Sequence, residues 1–543
     1  MKTSIKQKGL WLAIFFIVLF AIYKTQFGYH FDEIFLIDLG DIILKGTKPI
    51  SENWIHLQLG GYILLPFYAL FKLIFRSYDG IIIFFRLLYV IINIGVSIYI
   101  YHTLKKHFSP FHATVIAVIN LLFYSGFATI QYKQCLYWFV LLCMLSIINY
   151  SDTHKIRYLI FAALSLCAAI LFYIGAVIMV IPCAIAICKL HNGNHFRALA
   201  VFLGTCAICG SLFLVYVLSQ TPFSELCYDI MQILTSDGYS ENVIHKLIKV
   251  FLPVIIIFIA IHLLLFGSKY LFKKIKPFTS DELFMSIISI VFLIVICAMK
   301  PETITVSRVW YCLLLTFCWT PYFLIKKKCS NHNLVIYAFF LPSIFVMVCI
   351  AICTNQGIAI VSHGCIMGLY ALILLLDKRS ILTYTIIGIL FISFLYFIPD
   401  QNPANATVLT ARTKLTSGPA KGIRVTEDVK EVYDELCYLT DTYTDENDKL
   451  LILTTRHGAI GYLNSPAKYA IYSSYYVPLE SQKIIPYYEH NPGQKPSIIL
   501  LDKQQISSWN DWEQSDVGQY LLSFDYQTIK EDGNYYILSN PSK

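Results

Sequence analysis

Charge is what this sequence has least of. Asp, Glu, Lys and Arg make up 14% of its 543 residues, where a soluble globular domain carries about a quarter. With 57% hydrophobic residues, that shortage excludes a chain that folds around one core in water. Other absences narrow the field further. There is no internal repeat and no low-complexity stretch, which sets aside solenoids and disordered linkers. The one Cys-x-x-Cys pair, Cys206 with Cys209, lies inside an apolar run, and no zinc spacing occurs. The polar region after residue 400 has a single cysteine, Cys437, and so no internal disulfide. That region also lacks a Gly-x-Gly-x-x-Gly or Walker motif, so nothing marks it as a nucleotide site.

Long apolar runs are what the chain has instead. Runs of about 18–20 residues, long enough to cross a bilayer as helix, recur up to about Ile398. The candidates are 10–23, 58–75, 81–103, 111–128, 132–150, 157–172, 173–189, 196–218, 250–267, 282–299, 309–325, 334–353, 362–376 and 381–398. Lipid offers backbone groups no partner, so these runs are expected to be helices. Most of the sixteen cysteines lie inside them, among them Cys143, Cys167, Cys206, Cys209, Cys297 and Cys349, where Cys behaves as a small hydrophobe. The first run follows a basic stretch with no small-residue cleavage site, and reads as a retained anchor.

Lys and Arg in short loops set orientation. Lys2, Lys6 and Lys8 put the N-terminus in the cytoplasm. Lys105-Lys106, Lys155/Arg157, Lys189/Arg197, Lys269 to Lys276, Lys326 to Lys328 and Lys378/Arg379 read as cytoplasmic too. The net charge of +8 is therefore an orientation signal and no evidence for nucleic acid. Asp32, Glu33, Lys133, Lys300, Arg308 and His363 fall on the outer face, with everything after Pro399. An even number of spans cannot join a cytoplasmic N-terminus to an external C-terminus. One candidate between Leu59 and His107 must fail to cross if 157–189 is two helices, leaving about thirteen spans. The fold expected is a polytopic α-helical membrane protein, residues 1–398 with a first outer loop at 24–57, then a linker or strap at 399–424. A C-terminal extracytoplasmic α/β domain, 425–543, completes it. In that domain Val425 to Asp441 has helical periodicity, 450–454 and 497–501 read as buried strands, 469–476 as strand-like and 479–489 as helical. A hairpin is expected around Asp532-Gly533-Asn534.

The residues that invite chemistry open the first outer loop: His30-Phe31-Asp32-Glu33. Carboxylates here cap the helix that follows and favour its dipole. Equally, a carboxylate beside a low-dielectric surface holds its proton more tightly, which suits a general base; a sugar hydroxyl or a divalent cation is a further ligand for it. Phe35, Leu36, Leu39, Ile42 and Ile43 then recur at helical spacing, with Asp38, Asp41 and Lys45 polar, as in a helix lying in the interface. Gly60-Gly61 permits close approach of another group. The stretch 223–233 reads as a second interfacial helix, either a fence for lipid entry or a surface connector. Tyr472, Tyr475 and Tyr476 are the only tyrosines considered as sugar platforms.

Asp-Glu at the start of an outer loop, the interfacial helix, Phe71-Lys-Leu-Ile-Phe75, Arg86-Leu-Leu opening a span and the basic close at Tyr101 to Phe108 resemble the GT-C superfamily of integral-membrane glycosyltransferases. The branch resembled holds protein O-mannosyltransferases and the lipid A aminoarabinose transferase. The resemblance covers most of the membrane region in layout, and 30–75 and 86–108 in motif. It implies an inverting transferase with a polyprenyl-phosphate-sugar donor, Asp32 as base, Glu33 supporting acceptor or phosphate, and no nucleotide. The acceptor would be a lipid-linked glycan, surface polysaccharide or exported protein at the outer face of a bacterial inner membrane, with membrane lipids as the other partners. The donor phosphate then calls for outer cations: Arg308, in an Arg-aromatic segment with Tyr311, then Lys133 and Lys300. His56 is a further phosphate or sugar ligand, and His363 a weaker one. The chain departs from the pattern before the second span, where many members have Lys-Pro-Pro-Leu or His-Pro-Pro-Leu and this one has His56-Leu-Gln-Leu. A glycolipid flippase or transporter, and a polysaccharide polymerase or ligase, are the alternatives.

Overall fold

The computed structural model describes residues 5–55, 58–123, 129–235, 242–271, 280–299, 306–327, 329–354, 357–396, 408, 410–454, 458–473 and 483–540. In chain order the first helices are α1 (Ile5–Lys24), α2 (Phe31–Leu44), α3 (Gly61–Phe75), α4 (Ile81–Leu104), α5 (Pro110–Leu122), α6 (Tyr132–Thr153), α7 (Ile156–Phe172), α8 (Val180–Leu190), α9 (His195–Leu218), α10 (Phe223–Leu234) and α11 (Val243–Leu271). Helices at Asp281–Met299, Val306–Phe317 with Thr320–Lys326, 332–352, 358–375 and Ile381–Tyr396 complete the bundle.

The apolar stretch 58–75 does not cross with the others. Arg86, in the second turn of α4, donates to the carbonyls of Thr25, Phe27 and Gly28, just past the end of α1. Gly28 and Ile82 are bonded through their N–H groups to Arg424 and Pro419 of one C-terminal segment. The chain thus leaves α1 and enters α4 at the same end of the bundle, and α2 and α3 both lie there as a packed pair. The expected span at 58–75 is corrected to an arm of that pair, and the region between α1 and α4 runs from 25 to 80. Its tight fit explains the paired glycines: a Cβ on Gly61 would stand 2.6 Å from the Leu39 carbonyl oxygen, and one on Gly60 2.7 Å from the Phe172 ring.

The stretch 157–189 is two helices. Tyr173, in extended conformation, stacks on Tyr132 at the start of α6, and His191 packs on Tyr150 and His154 at its end. Among the described residues thirteen apolar passages remain, and the parity conflict is gone. The last helix agrees: Lys24 Nζ, ending α1, donates to the Phe394 carbonyl at 2.5 Å. At the opposite end the basic loops meet. His107 bonds Asp152, His112 bonds the Leu376 carbonyl, and Lys327 pairs with Glu282 and Asp377.

Helix α6 is the hub, with 83% of its apolar window buried, against 11% for α9. An apolar helix with so little covered presents its sides to lipid. Between α4, α5 and α6 an uncharged network runs through the interior. Asn120 donates to Asn93 and Ser97, Trp138 Nε1 donates to Asn93, and Tyr137 links Asn120 to Tyr370. Without water, polar side chains between helices satisfy one another and tie the helices together.

The C-terminal region begins with an ordered strap. Strands β1 (Thr413–Lys414) and β2 (Arg424–Val425) pair, with Leu415, Ala420 and Ile423 buried. The domain has the five-stranded order β4-β3-β5-β7-β6, formed by β3 (Lys449–Leu453), β4 (Lys468–Tyr469), β5 (Ile498–Asp502), β6 (Thr528–Asp532) and β7 (Tyr535–Ser539). β4, β3 and β5 are parallel; β7 and β6 are the expected hairpin. The expected helices are at Glu427–Tyr443 and Ile484–His490. The helices at Gly458–Asn464, Trp509–Gln514 and Asp516–Leu522 carry no strong periodicity, and two of them rest on Ser508 and Ser515 caps.

Candidate active site

Asp32 and Glu33 lie in the first turn of α2. Gly28, at φ +59, turns the chain between α1 and α2 so that three carbonyls point at one spot. Arg86 fills it. Its Nε and Nη2 each lie 2.6 Å from one oxygen of Glu33, and its remaining N–H groups reach Thr25 at 2.8 Å, Phe27 at 3.1 Å and Gly28 at 2.6 Å. Both side chains are buried. A guanidinium taken out of water needs all five donors matched, and here all five are. Glu33, expected to share in the chemistry, has both oxygens occupied by Arg86. It fixes the turn that bears Asp32, whose own side chain lies outside the described residues.

Other expected residues gather at this end of the bundle. Lys133 is buried in the first turn of α6, with Nζ 5.0 Å from the centre of the Tyr132 ring, and His363 is within its electrostatic reach. The His363 ring packs on Trp310 at 4.1 Å, two residues beyond Arg308. Trp310 meets Phe123 edge-on at 5.0 Å. The carbonyl of Phe123 accepts from Tyr89, one turn below Arg86. His363 and the Arg308 segment thus lie, with Lys133 nearby, at the same end of the bundle as the Glu33–Arg86 clamp. Tyr311 is half-buried beside Trp310 and makes no bond to these groups among the described residues. His56, Lys300, Tyr475 and Tyr476 lie outside the described residues, as does the Arg308 side chain.

Two features correct the reading of the first loop. Asp38 and Asp41 do not face water; both are buried under the C-terminal domain, where the Tyr469 hydroxyl meets Asp38 Oδ1 and, at 3.0 Å, Asp41 Oδ2. Lys45 pairs with Asp41 at 2.6 Å. Trp54, fully buried, donates from Nε1 to Asp229 of α10 at 3.0 Å, and His490 Nε2 lies 3.2 Å from the same oxygen. Tyr472, instead of offering a platform, is buried and stacks on Trp54 at 6.2 Å. The interfacial helix at 223–233 is present as α10, tied to this cluster and, through Lys483 to the Gln232 carbonyl, to the C-terminal domain. Arg86, Tyr469, Asp229 and His490 had no place in the expected site. Only Arg86 had a signal, as a charge within an apolar run. Among the described residues no group of three or more His, Cys, Asp or Glu side chains is arranged to hold a metal ion.

No protein-family model matches this chain, and no curated protein matches its sequence. Among solved structures it is similar to the archaeal oligosaccharyltransferase AglB from Archaeoglobus fulgidus, in complex with an inhibitory peptide and a dolichol-phosphate. There the TM-score is 0.42 at 9% identity over 99% of this chain and 75% of that one. An Archaeoglobus fulgidus oligosaccharyltransferase complexed with Zn and sulfate gives 0.36 at 9% identity over 96% and 73%. ArnT from Cupriavidus metallidurans in the apo state gives 0.41 at 11% identity over 98% and 97%. Likeness of this order says nothing of chemistry, which has to come from the residues.

Proposed function

We propose that this chain is an inverting glycosyltransferase of the GT-C kind, moving a sugar from a polyprenyl-phosphate donor to a lipid-linked glycan, surface polysaccharide or exported protein. The observation that carries the reading is the rigid setting of the Asp32 turn: Arg86 binds Glu33 and three carbonyls at the bundle end where Lys133 and the Arg308 segment also lie. In this reading the Asp32 carboxylate takes the proton of the acceptor hydroxyl. The freed oxygen attacks the anomeric carbon from the face opposite the phosphate. The bond from that carbon to the phosphate oxygen breaks, its electron pair stays with the phosphate, and the anomeric configuration inverts. Lys133 and Arg308 receive the charge that develops on the leaving phosphate, the stage at which fixed cations act most strongly.

The gathering of basic loops at the end opposite the C-terminal domain supports a cytoplasmic N-terminus and an outer catalytic face in a bacterial inner membrane. The buried polar network among α4, α5 and α6 is uncharged, which favours surface chemistry over transport, since transport sites place ionisable groups at mid-span. The test uses membranes carrying the wild type or Asp32→Asn, supplied with radiolabelled polyprenyl-phosphate sugars. The wild type transfers label, and the variant loses about a hundred- to ten-thousandfold of the rate, the usual worth of a general base. Normal transfer by the variant overturns the assignment.

A further inference from the structure

The segment that carries Asp32 is gripped by the C-terminal region on both sides. Before it, Arg424 bridges the chain: its N–H donates to the Gln26 carbonyl and its carbonyl accepts from Gly28, each at 2.7 Å. Beyond it, on α2, Asp38 and Asp41 converge on the Tyr469 hydroxyl. The same grip extends in the other direction. Lys45 reaches out of α2 to the carbonyls of Tyr462, at 3.3 Å, and Ser465, at 2.7 Å, at the C-terminal end of the helix Gly458–Asn464. A cation there satisfies carbonyls that the helix itself leaves open. Tyr469 is held in turn, stacked on Tyr462 at 5.0 Å and 21°. Farther along, Trp54 N–H bonds the Tyr472 carbonyl, and the Tyr487 hydroxyl bonds the Glu52 carbonyl.

These contacts are unequal in kind. The Arg424 bridge and the Trp54 and Glu52 bonds use the first loop's backbone, which any sequence supplies. Among the described residues, the Tyr469 hub hydrogen-bonds side chains of α2 to a side chain of the domain in a buried setting. Burial beside two carboxylates pushes the Tyr469 hydroxyl well above its ordinary range, so it keeps its proton and stays a donor. One hydroxyl between two carboxylates, with Lys45 on the second, defines the rotation of α2 about its axis. Asp32 lies six residues before Asp38 on that helix, so the rotation is delivered to it directly.

We propose that Tyr469 is a positioning residue for the transfer reaction: the C-terminal domain, through Tyr469, Asp38, Asp41 and Lys45, sets the angle at which α2 presents Asp32. The proposal rests on the reading of Asp32 as the base. The cations suggested for the donor phosphate are on other helices, so the domain acts on the rate of the chemical step and leaves donor binding alone.

Tyr469→Phe removes one oxygen and keeps the ring stack. The expected result is a fall in kcat of about tenfold, the effect of modest misplacement of a reacting group, with the donor KM within twofold of wild type. Hydrogen exchange in peptides covering 31–45 speeds up, while peptides covering β3 and β5 are unchanged. Tyr526→Phe is the control, because that hydroxyl bonds the Pro496 carbonyl within the domain; it costs stability and leaves kcat as it was. Unchanged kcat and unchanged exchange over 31–45 in Tyr469→Phe would overturn the proposal. So would an equal loss of kcat in Tyr526→Phe. Full activity of Asp32→Asn sinks the base itself, whereas exchange over 31–45 judges the grip on α2 independently of activity.

Discussion

Two buried carboxylates at the end of the bundle that meets the C-terminal region are built in opposite ways. Glu33 has both oxygens bound by a guanidinium whose other donors are also taken, with no water needed to complete the set. Asp229 has one oxygen shared by Trp54 and His490, while the other has no partner among the described residues. The first arrangement is closed: any change of charge leaves a buried partner unmatched, so the pair holds one geometry. The second is open. It sits where three separate pieces meet, the first loop, α10 and the C-terminal domain, and His490 keeps part of its ring at the surface. The closed pair is next to the proposed base, where a fixed angle matters. The open one is at the junction that ties the amphipathic helix α10 to the rest.

The comparison breaks most severely at Arg86. Arg86→Met keeps the apolar volume and strands Glu33 as a buried charge, with three carbonyls also left without donors. Removing one member of a buried pair costs about 3–5 kcal/mol. The variant is expected to lose most of its thermal stability in detergent and all measurable transfer. The double variant Arg86→Met/Glu33→Gln removes the stranded charge and should recover part of the stability with little of the activity. A single Arg86→Met variant with wild-type stability would show that the pair is not the closed clamp described.

Much of this was legible in the sequence, and the failures have physical causes. The apolar runs fixed nearly every bundle helix, since lipid permits little else, and the basic loops do gather at one end of the bundle. The parity conflict pointed to the right stretch, but α3 could not be told from a span. It buries Leu64, Tyr68 and Phe71 but leaves Leu70, Leu73, Ile74 and Phe75 exposed, as a crossing helix would, so composition alone does not separate the two. Asp38, Asp41 and Lys45 read as a wet helix face because their partner, Tyr469, is more than four hundred residues away. The strands of the C-terminal domain were plain from continuous apolar runs, whereas the helices at 509–522 depend on serine caps and short turns. Asp32 was singled out by its place in the chain; the contacts of Arg86 with Glu33 and of Tyr469 with Asp38 and Asp41 on the same helix are tertiary and leave no mark in the sequence.

A milder break lies at the open carboxylate. Asp229→Ala leaves Trp54 Nε1 without an acceptor in a buried place, a loss of about 1–3 kcal/mol, and frees His490. The expected signs are a lower Tm, a changed Trp54 fluorescence emission, and faster hydrogen exchange confined to α10 and 47–55. The region 31–45 should be unaffected. If exchange also rises over 31–45, the two carboxylates belong to one cooperative unit and the contrast between them fails.

The smallest effect expected is a pH slope. Burial pushes the Asp229 carboxyl up to about 6, against the pull of His490 and the Trp54 bond, with Glu225 of the same helix adding to the rise. A carboxyl raised in the folded state takes up its proton more readily there than in the unfolded chain. Its contribution to stability is therefore fully present below the ordinary value near 3.8, and is lost as pH rises through about 6. Lowering the pH from 7 toward 5 should raise the Tm through this group by about 1–2 °C. Asp229→Asn keeps an acceptor for Trp54 and carries no titrating proton, so it should lack that increment while remaining close to wild type at pH 5. Parallel Tm profiles for wild type and Asp229→Asn would mean that the carboxylate at the junction takes up no proton in the folded chain over this range, and that it is not open in the sense described.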